Sequence, residues 1–167
     1  MLRILGEGWS FTRDFLMISR ANKKLKSSMH VMILYYFVMI GGFMLMWYSV
    51  FSEFTCMGRF EWLRTTLIVL FGLSMLLNVI VSFSDPGTIL PDPSLNFIDL
   101  LEEFDCSSLC PICKIIKTPR GRHCEMCNKC VDRHDHHCPW VNNCVGRGNV
   151  KRFYAFISVQ MCYLILC

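Results

Sequence analysis

The sequence predicts a mainly α membrane protein whose transmembrane helices carry a small cysteine-rich domain stapled by metal. Three observations lead there. Hydrophobic residues make up 53% of the 167-residue chain, and its mean hydropathy of +0.39 is too apolar for an ordinary soluble domain. Two uninterrupted runs, residues 29–51 (MHVMILYYFVMIGGFMLMWYSVF) and 65–83 (TTLIVLFGLSMLLNVIVSF), carry that excess. Seven cysteines (110, 113, 124, 127, 130, 138 and 144) lie in one short segment with four histidines (123, 134, 136 and 137).

Residues 1–28 form a basic N-terminal segment. Trp9, Phe11, Phe15 and Ile18 alternate there with Arg13, Arg20, Lys23, Lys24 and Lys26, as in an amphipathic helix lying on an anionic leaflet; a positive flank with no further role fits equally. The run at 29–51 is long enough to span a bilayer as a helix, which takes about 20 residues. Residues 52–64 read as a lumenal loop, where Cys56 has no obvious partner and reads as a free or packed thiol. The second span, 65–83, contains Asn78, which raises the alternative of a buried core helix; a chain this short has no soluble core large enough to enclose one. Residues 84–109 read as an acidic linker that opens on Asp-Pro-Gly and has room for one short helical turn. The cysteine-rich domain occupies 110–152, and a third apolar run fills 153–167. That run stops about five residues short of a full span, so the sequence is read as ending inside a membrane helix, as a shortened form of a longer product would.

Lys and Arg set the orientation, because cytoplasmic flanks carry the positive excess. Arg3, Arg13, Arg20, Lys23, Lys24 and Lys26 precede the first span, whereas only Arg59 and Arg64 lie between the spans. The N-terminus is thus expected in the cytoplasm, and two crossings return the cysteine-rich domain to the same side. In that reducing compartment, metal binding or catalysis is favoured over disulfides.

The spacing of the cysteines points to metal. Cys110 and Cys113, Cys124 and Cys127, and Cys127 and Cys130 are each separated by two residues, and such a pair offers both sulfurs from one tight turn to a tetrahedral ion such as zinc. Two closed four-ligand sites would take eight of the eleven candidate ligands, leaving three for other chemistry. His123 and Cys124 are adjacent and do not easily serve one ion, so the ligands are expected to interleave between two sites. A RING-type arrangement fails on spacing, because Cys138 is followed by Cys144 and not by a closing pair. Nucleic-acid binding is excluded by the two spans and the lack of a recognition helix.

In an extended segment His136 and Cys138 project to one face and His137 to the other. His137 is then free to bind metal while His136 addresses Cys138. A histidine beside a thiol lowers its pKa and supplies the base that makes a nucleophile, and Asp135 would orient His136 if the chain turns there. A purely structural zinc fold, with His136 and Cys138 as extra ligands, fits the same residues. On the third run, Phe153, Phe156, Gln160 and Tyr163 share one helical face, either for ordinary packing or to line a channel.

From Asp85 to Phe153 the sequence closely resembles the DHHC-type protein S-acyltransferases (palmitoyltransferases). The motifs are "DPG" after the second span, "CPIC", "KTPRGRHC", "EMCNKC", "DHHCPWVNNCVG", Asn149 and Phe153. The resemblance implies short β-hairpins and two structural zinc ions, one held by Cys110, Cys113, His123 and Cys130, the other by Cys124, Cys127, His137 and Cys144. It implies Cys138 as acyl-accepting nucleophile, His136 as its base and Asp135 as the residue polarising that histidine, while His134 matches no fixed position and faces solvent. It further implies acyl-coenzyme A, most simply palmitoyl-coenzyme A, as co-substrate. The acyl group would go to cytoplasmic cysteines of membrane-associated proteins, with the chain in the bilayer of the endoplasmic reticulum or Golgi. Phe153, Phe156 and Tyr163 would line the acyl channel, and Lys114, Arg120, Arg122 and Lys129 are candidates to attract coenzyme A phosphates. Family members have four spans, so a second expectation stands beside the first: a catalytically inactive zinc-bearing membrane module that binds or regulates full-length acyltransferases.

Overall fold

The computed structural model describes residues 28–49, 61–94 and 96–167. The amphipathic N-terminal segment, Cys56 and Arg59 lie outside the described residues. In chain order the elements are helix α1 (Ser28–Ser49), α2 (Glu61–Phe83), α3 (Phe97–Glu103), strands β1 (Leu109–Cys110), β2 (Ile115–Ile116), β3 (Arg122–Cys124), β4 (Lys129–Val131), β5 (His136–Cys138) and β6 (Asn143–Val145), and helix α4 (Val150–Leu166).

α1 and α2 are long and apolar enough to cross a membrane. α2 begins at Glu61, inside the segment expected as loop, because that turn is stabilised locally. The Thr65 and Thr66 hydroxyls donate to the carbonyls of Glu61 and Trp62, and Glu61 pairs with Arg64 at 2.6 Å while placing negative charge at the helix N-terminus. The outer helix faces are bare, with Phe37 77% and Phe83 87% exposed. Apolar surface of this extent on helices of this length belongs in lipid.

The inner faces meet. α2 buries Leu67, Ser74, Asn78 and Val81 in one stripe, α4 buries Phe156, Gln160 and Tyr163, and the two helices pack along each other. α1 closes the group: the Tyr35 hydroxyl donates to Gln160 Oε1 (3.0 Å), the Tyr36 hydroxyl to Asn78 Oδ1 (2.6 Å), and the Phe43 ring stacks on Phe71 with centroids 4.2 Å apart. Asn78 is therefore a polar clasp between helices. Lipid supplies no hydrophobic drive for helix association, so packing and hydrogen bonds of this kind must do it.

The cysteine-rich segment forms three separate antiparallel hairpins, β1–β2, β3–β4 and β5–β6. Their loops, residues 111–114, 125–128 and 139–142, each end in a left-handed residue: Lys114 (φ 53°), Asn128 (φ 50°) and Asn142 (φ 47°). Asn tolerates that conformation; Lys does so only where the surroundings hold it. The three hairpins are thus the same device used three times.

The expected linker is docked rather than loose over its first residues. The Ile89 amide donates to the Cys130 carbonyl (2.9 Å), Asp132 N–H to Gly87 O (2.8 Å) and Gly148 N–H to Pro86 O (3.0 Å). Gly87 has φ 94°, open to glycine at no steric cost. The Asp85 carboxylate accepts from the Thr88 hydroxyl (2.7 Å), and that bond holds it below the usual carboxylate range. From the other side, Asn143 Nδ2 donates to the carbonyls of Val81 (3.0 Å) and Ser84 (2.8 Å), satisfying acceptors at the end of α2 that the helix leaves open. The linker's one short helical turn is α3, capped by Asn96, whose side chain accepts from Ile98 N–H.

This docking leaves no room at Gly146. A Cβ there would sit 2.5 Å from Pro86 O and from Val131 Cγ1. Gly146→Ala is expected to destabilise the hairpin–helix junction by about 1–3 kcal/mol, read as a lowered thermal midpoint of the detergent-solubilised chain, whereas Gly72→Ala, with nothing within 4 Å, should leave it unchanged.

Candidate active site and metal centres

Two clusters of potential ligands form from the hairpins. Cys110, Cys113, His123 and Cys130 make one; Cys124, Cys127, His137 and Cys144 make the other, with the ligand atoms of each within 4.8 Å of one another. In the first, His123 Nδ1 lies 3.7, 3.3 and 3.7 Å from the sulfurs of Cys110, Cys113 and Cys130. In the second, His137 Nδ1 lies 3.3 Å from Cys127 Sγ and 3.8 Å from Cys144 Sγ. A zinc ion at ordinary bond lengths sets the edges of its tetrahedron at about 3.5–3.8 Å, so these separations fit the ion. The interleaving has a simple cause: His123 and Cys124 are adjacent on β3 and point to opposite faces, so one strand serves both clusters.

The donor chemistry fits as well. In the second cluster, hydrogen bonds from Cys127 and Cys144 draw the Cys124 thiol far below its ordinary range, while the bonds shared with Cys124 and Cys127 push Cys144 far above it. Hydrogen bonds to Cys124 and Cys127 also raise His137 to about 9. In the first cluster, burial pushes the Cys130 thiol up. Sulfurs this close cannot all ionise without a cation among them, and three thiolates with one imidazole close a tetrahedron with no position left for substrate. Both clusters therefore suit structural zinc.

The third hairpin carries the remaining candidates. Cys138 opens its loop at the place that Cys110 and Cys124 hold in the other two, and Val141 stands where they have Cys113 and Cys127. A second ligand is missing there, so Cys138 is left out of both clusters. Its thiol is 5% exposed and packs with Val81, Val141, Val145 and Phe156, with Phe153 alongside. Burial raises its pKa, opposed by the backbone N–H groups of Trp140 and Val141. On the same strand His137 turns to the metal cluster, while the His136 ring meets Phe153 edge-on at 5.5 Å. His136 Nδ1 lies 3.3 Å from Asp135 Oδ2. Asp135 lies outside the regular strand, just before β5, and its N–H donates across the hairpin to the Val145 carbonyl at 2.9 Å.

His134 is a correction to the sequence reading. It is half-buried instead of facing solvent, its Nε2 is buried with no hydrogen-bond partner among the described residues, and its N–H donates to the Arg120 carbonyl (3.2 Å). It lines an open cleft with Pro119, Arg120, Gly121, Arg122 and Asp135. Nearby, Asp132 accepts from the Thr118 hydroxyl (2.7 Å) and from Arg147 (3.1 Å), a brace that no spacing pattern announced. All ten described cysteines are free thiols.

A chain with two membrane-length helices, two closed three-cysteine, one-histidine clusters and an unligated cysteine on a third hairpin falls in a narrow class of membrane zinc proteins. Residues 103–167 match the DHHC palmitoyltransferase family. The chain is 50% identical over 62 residues to palmitoyltransferase SWF1 of Kluyveromyces lactis, covering 37% of this chain and 19% of that protein. It is 38% identical over 118 residues to human palmitoyltransferase ZDHHC9, covering 54% of this chain and 32% of that protein. Residues 103–167 are thus similar to the DHHC palmitoyltransferase domain, and the chain spans between a fifth and a third of the length of these curated relatives.

The cluster geometry makes a direct prediction. The wild-type chain purified in detergent should carry about two zinc ions, and Cys130→Ser about one, by elemental analysis, since Cys130 serves only the first cluster. Stripping both ions with a strong chelator should abolish cooperative unfolding of the cysteine-rich segment.

Proposed function

We propose that the chain is a protein S-acyltransferase in which Cys138 takes a long-chain acyl group, most simply palmitoyl, from acyl-coenzyme A and passes it to cysteines of membrane-associated proteins. The observation that carries this reading is the unligated Cys138, set against Phe153 and Phe156 at the junction of the hairpins with the membrane helices.

In the first step, His136 Nε2 takes the Cys138 proton and the sulfur attacks the thioester carbonyl. Coenzyme A leaves as its thiolate and recovers the proton. In the second step, a substrate thiol attacks the Cys138 thioester, with His136 again handling the proton. Asp135, 3.3 Å from His136 Nδ1, keeps Nε2 as the basic nitrogen. Each step exchanges one thioester for another, so positioning and thiolate supply dominate the barrier. Zinc, when bound, supplies a rigid frame for β5 and no Lewis-acid chemistry, because its ligand sets are closed.

The acyl chain would lie along the inward face of α4. Phe156 and Tyr163 are buried there, at 2% and 3% exposure, and a palmitoyl chain in apolar surroundings gains about 0.8 kcal/mol per methylene. Arg120 and Arg122 line the cleft beside Asp135, where guanidinium groups suit coenzyme A phosphates. Ser28 at the start of α1 touches His137 of β5, and Asn143 of β6 touches the end of α2. That supports placing the start of α1, the end of α2 and the zinc domain on one side of the bilayer, which the Lys and Arg residues before α1 make the cytoplasmic side; the membrane would be that of the endoplasmic reticulum or Golgi.

With a labelled palmitoyl-coenzyme A analogue, the wild-type chain should acquire a hydroxylamine-sensitive label that Cys138→Ser lacks. His136→Ala should slow labelling by about 10²–10⁴-fold. An equal label on Cys138→Ser would overturn the assignment. Tyr163→Ala should shift the preferred acyl chain to greater length in competition between donors; an unchanged preference removes Tyr163 from the channel.

A further inference from the structure

His137 is shared between two neighbours. Its Nδ1 faces the sulfurs of Cys127 and Cys144, so this is the nitrogen offered to the ion. Its Nε2 lies 3.1 Å from the hydroxyl oxygen of Ser28, 109 positions away and the first residue of α1. With the Nδ1 lone pair committed to a metal, the imidazole proton resides on Nε2 and is donated to Ser28 Oγ. Ser28 is 2% exposed, so water does not compete for that bond. His123, in the other cluster, has hydrogen-bond contacts through Nδ1 to sulfur and shows no such outer bond among the described residues.

We propose that Ser28 is a positioning residue for the second metal centre. It fixes the tautomer and ring orientation that let His137 ligate, and through that bond it fastens the cluster to the N-terminal end of α1. His137 lies between His136 and Cys138 on β5, so the ion, the strand and the first membrane helix move as one unit. This role of Ser28 requires only that zinc occupy the second cluster and is independent of acyl transfer.

An outer-shell partner of this kind raises metal affinity by about 10–100-fold, and here the effect falls on one ion of two. The full chain in detergent is challenged with excess chelator, and zinc release is followed with 4-(2-pyridylazo)resorcinol. Ser28→Ala is expected to release one equivalent about 10–100-fold faster, with the other unchanged; Ser28→Thr, which keeps the hydroxyl, restores the slow rate. Ser82→Ala, which loses only a bond to the Asn78 carbonyl in its own helix, matches wild type. Wild-type kinetics in Ser28→Ala would overturn the proposal. So would loss or acceleration of both equivalents together, or Ser28→Thr behaving as Ser28→Ala.

Discussion

The cross-bracing of three hairpins by two sets of sulfur and imidazole ligands is the constraint on which the rest depends. Strands of two or three residues cannot persist alone, since isolated two-stranded hairpins are marginal even when longer. The clusters hold them by joining elements far apart in sequence: β1 with β3 and β4 in one, β3 with β5 and β6 in the other. A structural zinc contributes on the order of 10 kcal/mol, comparable to the whole stability of a small domain. The burial that accompanies it is modest, three small groups centred on Ile115, Val131 and Val145.

A zinc-stapled unit becomes useful only where it meets the helices. Val81 of α2, Val145 of β6 and Phe156 of α4 converge on Cys138, and Asn143 and the Asp-Pro-Gly turn fasten the ladder to the end of α2. Deeper between the helices, Gln160 accepts from both Tyr35 and Ser74. Thiol, apolar helix face and polar clasp therefore lie in one column running from the hairpins into the membrane-length helices. In the proposed function, that arrangement would let a thioester form on Cys138 while its chain remains in apolar surroundings.

The parts legible in the sequence were those encoded by local spacing. Cysteine pairs two residues apart announced metal turns, and strand alternation separated His137 from His136 and Cys138. The helical spacing of Phe156, Gln160 and Tyr163 marked the face that α4 buries. What escaped depends on contacts between distant residues: Asn143 reaching Val81 across 62 positions, Ser28 reaching His137, and an apparent linker whose Ile89 amide donates to β4 and whose Gly87 and Pro86 carbonyls accept from Asp132 and from Gly148 after β6. One missed signal was present all along. Cys110, Cys124 and Cys138 recur every fourteen residues, as do Lys114, Asn128 and Asn142, a repeat that marks Cys138 as the head of a third metal turn whose second ligand has become Val141. His134 was misread because nothing local indicates that the 120–122 segment covers it.

In the proposed function, Cys138 and the inward face of α4 form one acyl site. The most direct measurement uses a palmitoyl-coenzyme A analogue with a photoreactive group at the end of its chain, followed by peptide mapping of both attachments on the full chain in membranes. The expected result is a thioester at Cys138 with crosslinks on the α4 face that carries Gln160 and Tyr163. A thioester at Cys138 whose chain end crosslinks only to outward positions such as Phe37 or Ile165 would contradict it.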